Sequence, residues 1–319
     1  MQDVFRKWKP NSRGDMKLGF IGLGKMGANM VENLLDHEHD VVVYDLSREQ
    51  VDRLAGRGAM PSDSPGELAA GLGHPRIIWL MVPSGAPVDA TLDSLVSSLE
   101  PGDIVIDGGN SNFHDSVRRG EALAEKGIHF MDVGTSGGLE GARNGACMMI
   151  GGNPEVYASL EPLFKDLCVS GGYGYMGGGG AGHFTKMVHN GVEYGMMQAI
   201  GEGFDILENS AYSFDHHEVA RVWANGSVIR GWLMDLVARA FERDGQLEYL
   251  SGIIADSGEG KWTVETALDE GVSIPVIAGA LFRRYRSRSQ DNFSDKVVAA
   301  LRDEFGGHGY TQKSRLQKK

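Results

Sequence analysis

The tightest constraint on this chain lies at Gly22-Leu23-Gly24-Lys25-Met26-Gly27. This GxGxxG turn sits between a short β-rich run, Lys17–Ile21, and an amphipathic helical stretch, Met26–Leu35. In such a turn the first glycine permits the bend and the second lets a pyrophosphate reach the backbone. The third lets helix and strand pack closely, while the N–H groups of the helix N-terminus face the phosphates. The six residues alone would be a weak signal in a chain with 46 glycines among 319 residues. Context makes them specific: Asp45 closes the next strand, Val41–Tyr44, 21 residues after Gly24. An acidic side chain there accepts hydrogen bonds from ribose hydroxyls and repels a 2′-phosphate, which favours NAD. Arg48 lies close enough in sequence to receive such a phosphate, so NADP stays open as well.

The rest of the first half fits that turn. Further strands are expected at Ile77–Val82, Ile104–Asp107, Phe130–Val133 and Met148–Ile150. Helices are expected at Arg48–Ala55, Pro87–Leu99, Asp115–Glu125 and Pro154–Leu167. Strands alternating with helices give a parallel sheet covered on both faces, an α/β fold of the Rossmann-like kind. Val82 and Pro83, ending one strand, and Asn110, following Asp107-Gly108-Gly109, fall where a dinucleotide would pass.

The second half is read as all-α. It opens with a long helix from about Ala181 to Asn209, followed by His216–Trp223, Ile229–Phe241, Thr263–Glu270 and Ile274–Phe282. The expected division is an N-terminal extension at 1–15, a dinucleotide-binding domain at 16–179, and a helical substrate and dimerisation domain at 180–319. A net charge of −12 disfavours binding along a nucleic-acid backbone. Two cysteines outside any CxxC pair suit a reducing cytoplasm, and no apolar run is long enough to span a membrane. No His/Cys/Asp cluster has metal-ligand spacing, so no metal is expected. Fifteen of the glycines lie between Gly134 and Gly182, and among them the Gly177–Gly180 run has no evident role.

The chemistry is concentrated in Gly182–Tyr194. At helical spacing Lys186, His189, Asn190 and Glu193 share one face of a helix otherwise rich in Met, Val and Gly. A salt-bridged surface face is the bland interpretation. The chemical one is a base near neutral pH that takes a hydroxyl proton while hydride leaves the same carbon. A desolvated lysine can serve, and Glu193 could supply a proton later.

At this point the chain resembles the 6-phosphogluconate dehydrogenases over nearly all of Met16 to Tyr310. The shared motifs are the glycine turn, Ile106–Ser111 (IDGGNS) and Thr135–Arg143 (TSGGLEGAR). Lys186–Tyr194 (KMVHNGVEY), Gly260–Thr263 (GKWT) and Phe305–His308 (FGGH) complete the set. The resemblance implies oxidative decarboxylation of 6-phosphogluconate to ribulose 5-phosphate. Lys186 would be the general base and Glu193 the donor of a proton to C1. Ser136, Gly137 and Gly138 would hold the substrate carboxylate, and Asn110 would bridge cofactor and substrate. His189, Asn190 and Tyr194 would make further substrate contacts, and Arg284 would bind the phosphate. Arg302 and His308 resemble a tail segment that reaches the neighbouring subunit's site, which implies a homodimer.

Two departures from the family pattern stand out. After Arg288 the chain runs almost directly to the tail segment, whereas longer members carry a second helical repeat there. The basic residue expected before the GxGKW element is also missing, with Lys261 left as a possible substitute. Two other readings fit parts of the sequence: a dehydrogenase of a small 3-hydroxy acid such as 3-hydroxyisobutyrate, and a cofactor-sensing protein without turnover.

Overall fold

The computed structural model describes residues 16–289 and 291–306. The chain forms two compact units that divide between Gly191 and Val192.

The first unit is built on eight strands. They are β1 (Lys17–Ile21), β2 (Asp40–Tyr44), β3 (Met60–Pro61), β4 (Ile77–Leu80), β5 (Ile104–Asp107), β6 (His129–Ser136), β7 (Ala146–Gly151) and β8 (Cys168–Gly177). They form one sheet in the order β3-β2-β1-β4-β5-β6-β7-β8. All neighbours run parallel except β6 and β7, which are antiparallel with Asp132 opposite Gly151. The expected Rossmann-like sheet is therefore present, with one reversed pair.

Helices α1 (Lys25–Asp36), α2 (Arg48–Ala55), α3 (Pro65–Ala70), α4 (Ala86–Leu95), α5 (Phe113–Ala124), α6 (Gly138–Asn144) and α7 (Pro154–Leu167) connect these strands. The central strands are uninterrupted apolar runs because both faces are covered, as in Ile-Ile-Trp-Leu of β4, where every residue is buried. Alternate residues feed two cores. Phe20, Trp79, Met131 and Val133 pack with Met30, Val31 and Leu34 of α1 and Leu160 and Phe164 of α7. Ile78, Leu80 and Val105 pack with Leu68 of α3 and Val88 and Leu92 of α4. Burying each of these large side chains stabilises the unit by about 1.5–3 kcal/mol. Helix starts follow local chemistry: Asn153 Oδ1 accepts from Glu155 N at 2.8 Å and Val156 N at 3.1 Å to begin α7.

The structure differs from expectation where glycine masks an element. The stretch from Gly171 looks like a break, yet most of it is β8, an edge strand whose Tyr173 and Tyr175 register with Met148 and Ile150. Helix α6 begins at Gly137-Gly138, residues of low helix propensity, because both adopt positive φ in the turn that launches it.

The long helix α8 (Ala181–Glu208) follows β8. Gly180 and Gly182 let it start close against α5 and the sheet, respectively. Gly180 has φ +89°, and a Cβ there would lie 2.7 Å from Val117 Cγ2. A Cβ on Gly182 would lie 2.6 Å from Met149 O and 2.7 Å from Gly151 N.

The second unit continues with α9 (His216–Ala224), α10 (Trp232–Arg243), α11 (Glu259–Asp269), α12 (Pro275–Ser287) and α13 (Phe293–Gly306). Phe204, Ala220, Met234 and Phe241 form one core there, and Tyr194, Ala280 and Leu281 another. Helix α13 was not expected from the sequence, where the region after Arg288 reads as a run into the tail. Among the described residues no helix is long and apolar enough to cross a membrane.

Candidate active site

Strand order reverses between β1 and β4, so a crevice opens at their C-terminal ends. Two of the three motif glycines are required by the fold itself. Gly22 has φ +97°, and a Cβ on it would lie 2.7 Å from the Met81 carbonyl carbon. A Cβ on Gly27 would strike the Gly22 carbonyl oxygen. Gly24 has ordinary extended backbone, and a Cβ on it would meet nothing within 4 Å. Neither packing nor conformation requires glycine at that position. It starts α1 without a side-chain cap, leaving the first N–H groups of the helix toward open space. These residues therefore fit a dinucleotide pyrophosphate.

The crevice has two lobes. One, of about 570 Å³, is lined by Gly22, Gly24, Asp45, Leu46, Val82 and Pro83 among others. The second, of about 360 Å³, is lined by Gly24, Lys25, Met26, Gly27, Val82, Pro83, Asn110 and Thr135 among others. A shallower depression beside them includes Leu23, Lys25 and Asp45. All ten residues expected to contact the cofactor thus border these spaces. Asp45 is anchored at the turn: its Oδ2 accepts from Leu23 N at 2.6 Å and its Oδ1 from Ser47 N at 2.7 Å. Arg48 is engaged elsewhere, with Nε donating to Asp52 at 2.8 Å and Nη1 to Asp63.

Asn110 is held by a network that sequence inspection does not reveal. Buried Asp107 accepts from Gly109 N at 3.1 Å and from Ser111 Oγ at 2.7 Å, bracing both sides of Asn110. Buried Arg119 lies 3.6 Å from Asp107, and it also donates to Gly85 O at 3.0 Å and to Asp89 at 2.8 Å. One guanidinium therefore ties the Asn110 loop to the start of α4. Hydrogen bonding from Arg119, the largest influence, and from Arg118 holds the Asp89 carboxyl below its ordinary range.

The end of β6 and the start of α8 bring the expected chemical groups together. Lys186 is 5% exposed, so the solvent-facing stripe is not what forms. A Cβ on Gly134 would overlap Lys186 Cβ and lie 2.8 Å from its Cγ, so this glycine gives the lysine its place against the strand. Two residues along, Ser136 Oγ lies 3.2 Å from His189 Nε2, and His189 Nδ1 lies 3.0 Å from Asn190 Oδ1. The amide oxygen can only accept, so Nδ1 is the donor in that pair. Gly137 and Gly138 follow at φ +116° and +57°.

Asp132, which also escapes sequence inspection, anchors this arrangement. It is fully buried on β6, and its two oxygens accept from Gly180 N and His183 N, each at 2.8 Å, at the first turn of α8. Its position two residues before Gly134 places it on the same face of the strand. That parity was the available signal.

In the second unit Tyr194 is buried, with the Arg284 guanidinium 3.5 Å over its ring. Arg284 also donates to Ala255 O at 2.6 Å. A Cβ on Gly260 would lie 2.6 Å from Tyr194 Cδ2, which accounts for the glycine of the GKWT element. Glu193 lies half-buried on α8. Lys261 is not drawn into this group: it is exposed and pairs with Glu265 at 3.3 Å. Arg302 lies exposed on α13, and His308 falls outside the described residues.

Comparison with known proteins agrees with this geometry. Residues 17–187 match the family model for the NAD-binding domain of 6-phosphogluconate dehydrogenase. Residues 182–296 match that for the C-terminal domain of the same enzyme. The chain is 54% identical over 298 residues to YqeC of Bacillus subtilis, covering 93% of this chain and 100% of that protein. It is 46% identical over 301 residues to the NAD(+)-dependent, decarboxylating 6-phosphogluconate dehydrogenase of Haloferax volcanii, covering 93% and 99%. Among solved structures, Plasmodium falciparum 6-phosphogluconate dehydrogenase superposes with a TM-score of 0.79 at 27% identity. That match covers 95% of this chain and 67% of the other.

Proposed function

Because the chain belongs to the 6-phosphogluconate dehydrogenase family, we propose that it oxidatively decarboxylates 6-phospho-D-gluconate to D-ribulose 5-phosphate and CO2, with NAD as the preferred acceptor. The observation that carries the proposal is buried Lys186 seated on Gly134, with Ser136, His189 and Asn190 hydrogen-bonded alongside. NAD preference rests on Asp45 at the turn, on the engagement of Arg48 with Asp52 and Asp63, and on the NAD(+)-dependent relative.

Bound NAD supplies the acceptor for the hydrogen that leaves C3 with its electron pair. Lys186, in a desolvated setting where an amine can act as a base, takes the C3 hydroxyl proton. In the resulting 3-keto acid the C1–C2 bond breaks, CO2 departs, and the bonding electrons pass into the C3 carbonyl. Lys186 returns its proton to that oxygen, giving the enediol; Glu193 then delivers a proton to the carbon that lost CO2 while Lys186 takes the hydroxyl proton back and the carbonyl re-forms. Ser136 with the Gly137-Gly138 turn holds the substrate carboxylate, and Asn110, His189, Asn190 and Tyr194 orient the hydroxyls. Arg284 takes the phosphate, for which a guanidinium fork is suited. Lys261 is a further candidate contact. The reading extends to a cytoplasmic homodimer in which Arg302 and His308 of the tail complete the neighbouring site.

The test is incubation with 6-phosphogluconate and NAD, measuring NADH and CO2 together. Equal yields are expected. NADH without CO2 would reject decarboxylation, and turnover confined to 3-hydroxyisobutyrate would move the chain to the small hydroxy-acid dehydrogenases.

A further inference from the structure

Four buried side-chain polar atoms find no hydrogen-bond partner among the described residues: Asn33 Nδ2, Trp79 Nε1, Thr135 Oγ1 and His183 Nε2. Leaving such a group unpaired is costly, so each calls for a reason. Thr135 alone of the four lines the crevice, in the lobe that holds Gly27 and Asn110 and lies away from Asp45. It is 6% exposed.

Strand parity gives the direction of its side chain. Asp132, Gly134 and Ser136 of β6 face α8, as their contacts with Gly180, His183, Lys186 and His189 show. Met131 and Val133 face the core that α1 closes. Successive strand residues alternate, so Thr135 lies on the α1 face, where the glycine turn begins that helix. The adenosine end of a dinucleotide is claimed by Asp45 in the other lobe. The half left for the Thr135 lobe is the nicotinamide half.

We propose that Thr135 Oγ1 is a cofactor contact, hydrogen-bonded to the carboxamide of the nicotinamide ring. The inference rests on the dinucleotide reading above, though not on decarboxylation. A hydroxyl with both donor and acceptor capacity suits a carboxamide, which offers both. Bound cofactor would supply the partner that Oγ1 lacks among the described residues. Thr135 approaches the ring from the strand face opposite to the one that carries Lys186.

The experiment compares Thr135→Val and Thr135→Ser with the wild type by titrating NADH and ADP-ribose, with thermal unfolding recorded for each free protein. ADP-ribose lacks the nicotinamide ring. The expected result for Thr135→Val is an NADH Kd raised about 3- to 10-fold, the range for loss of one hydrogen bond. Its ADP-ribose Kd should be unchanged, and its Tm equal to or above wild type, because an unpaired buried hydroxyl has been removed. Thr135→Ser should bind NADH like the wild type. Wild-type NADH affinity in Thr135→Val overturns the proposal, as does equal weakening of both nucleotides, which would assign the hydroxyl elsewhere. A wild-type chain that binds neither nucleotide sinks the dinucleotide reading and this inference with it.

Discussion

Gly134→Ala tests most directly whether the seat of Lys186 matters. The new Cβ would lie 2.8 Å from Lys186 Cγ and 3.1 Å from Gly182 O, and would overlap Lys186 Cβ more deeply. The milder carbon contact is already 0.6 Å short of the 3.4 Å at which ordinary contact begins. Because the Cβ overlap is worse, the lysine stem or the helix beneath it must retreat by on the order of 1 Å, a misplacement that can cost about 100-fold in rate. The backbone offers little compliance, since Gly182 is itself pressed on Met149 O and Gly151 N. The substitution should therefore lower kcat about 100-fold while leaving the NADH Kd within about twofold, because the glycine turn lies on the other side of β6. Steady-state kinetics with 6-phosphogluconate and fluorescence titration of NADH read these two quantities separately. A Gly134→Ala enzyme with kcat within about threefold of wild type would refute the placement of Lys186 as the base.

Other outcomes follow from the same geometry. Asp132→Ala strips two buried N–H groups of a charged acceptor and should destabilise the first unit by about 3–5 kcal/mol; a loss below about 1 kcal/mol in urea unfolding would show that the cap is dispensable. Asp45→Asn should lower the ratio of NAD to NADP kcat/KM at least about tenfold, by removing the charge that repels a 2′-phosphate; an unchanged ratio would place discrimination elsewhere. Burial pushes the Cys168 thiol up to about 12, so between pH 7 and 9 it stays protonated and inert. Maleimide should then label exposed Cys147 alone, and comparable labelling of Cys168 would contradict the core. Lys186→Ala and Arg302→Ala should each be inactive, yet after unfolding and refolding together they should recover about a quarter of wild-type sites if the tail completes the partner's site; no recovery would remove the shared-site dimer.

The cofactor crevice was legible in the sequence because its signal is local. A strand, three glycines at fixed offsets, a helix and an acidic residue one strand later are read within about 30 residues, and physical necessity fixes each. Helix α8 was legible for a similar reason, its polar residues recurring at helical spacing on an apolar background. What stayed hidden is made by residues far apart in the chain. Asp132 caps a helix that begins 49 residues later, and Arg119 reaches back to Gly85 and Asp89. An acid in a strand and an arginine in a helix give no local sign of such partners. Strand β8 was masked because glycine lowers strand propensity, whereas pairing with β7 and the two tyrosines outweigh that cost. In each case a tertiary contact overrides or supplements the local preference.

The alternation of β6 ties these observations into a rule that can be checked residue by residue. Even-numbered positions from Asp132 to Ser136 cap α8, seat Lys186 and bond His189, so damage there should appear in kcat or in the anchoring of the helix. Odd-numbered positions point into the α1 side, first as core at Met131 and Val133 and then, at the crevice, as Thr135. Damage there should appear in stability and, at the last position, in cofactor affinity. A strand residue can face only one way, so one strand can seat the lysine of α8 on one face and turn a hydroxyl to the other without a loop to position either. The glycine at 134 follows from that economy: with α8 packed this close on the even face, any larger residue would displace the lysine that the face exists to hold.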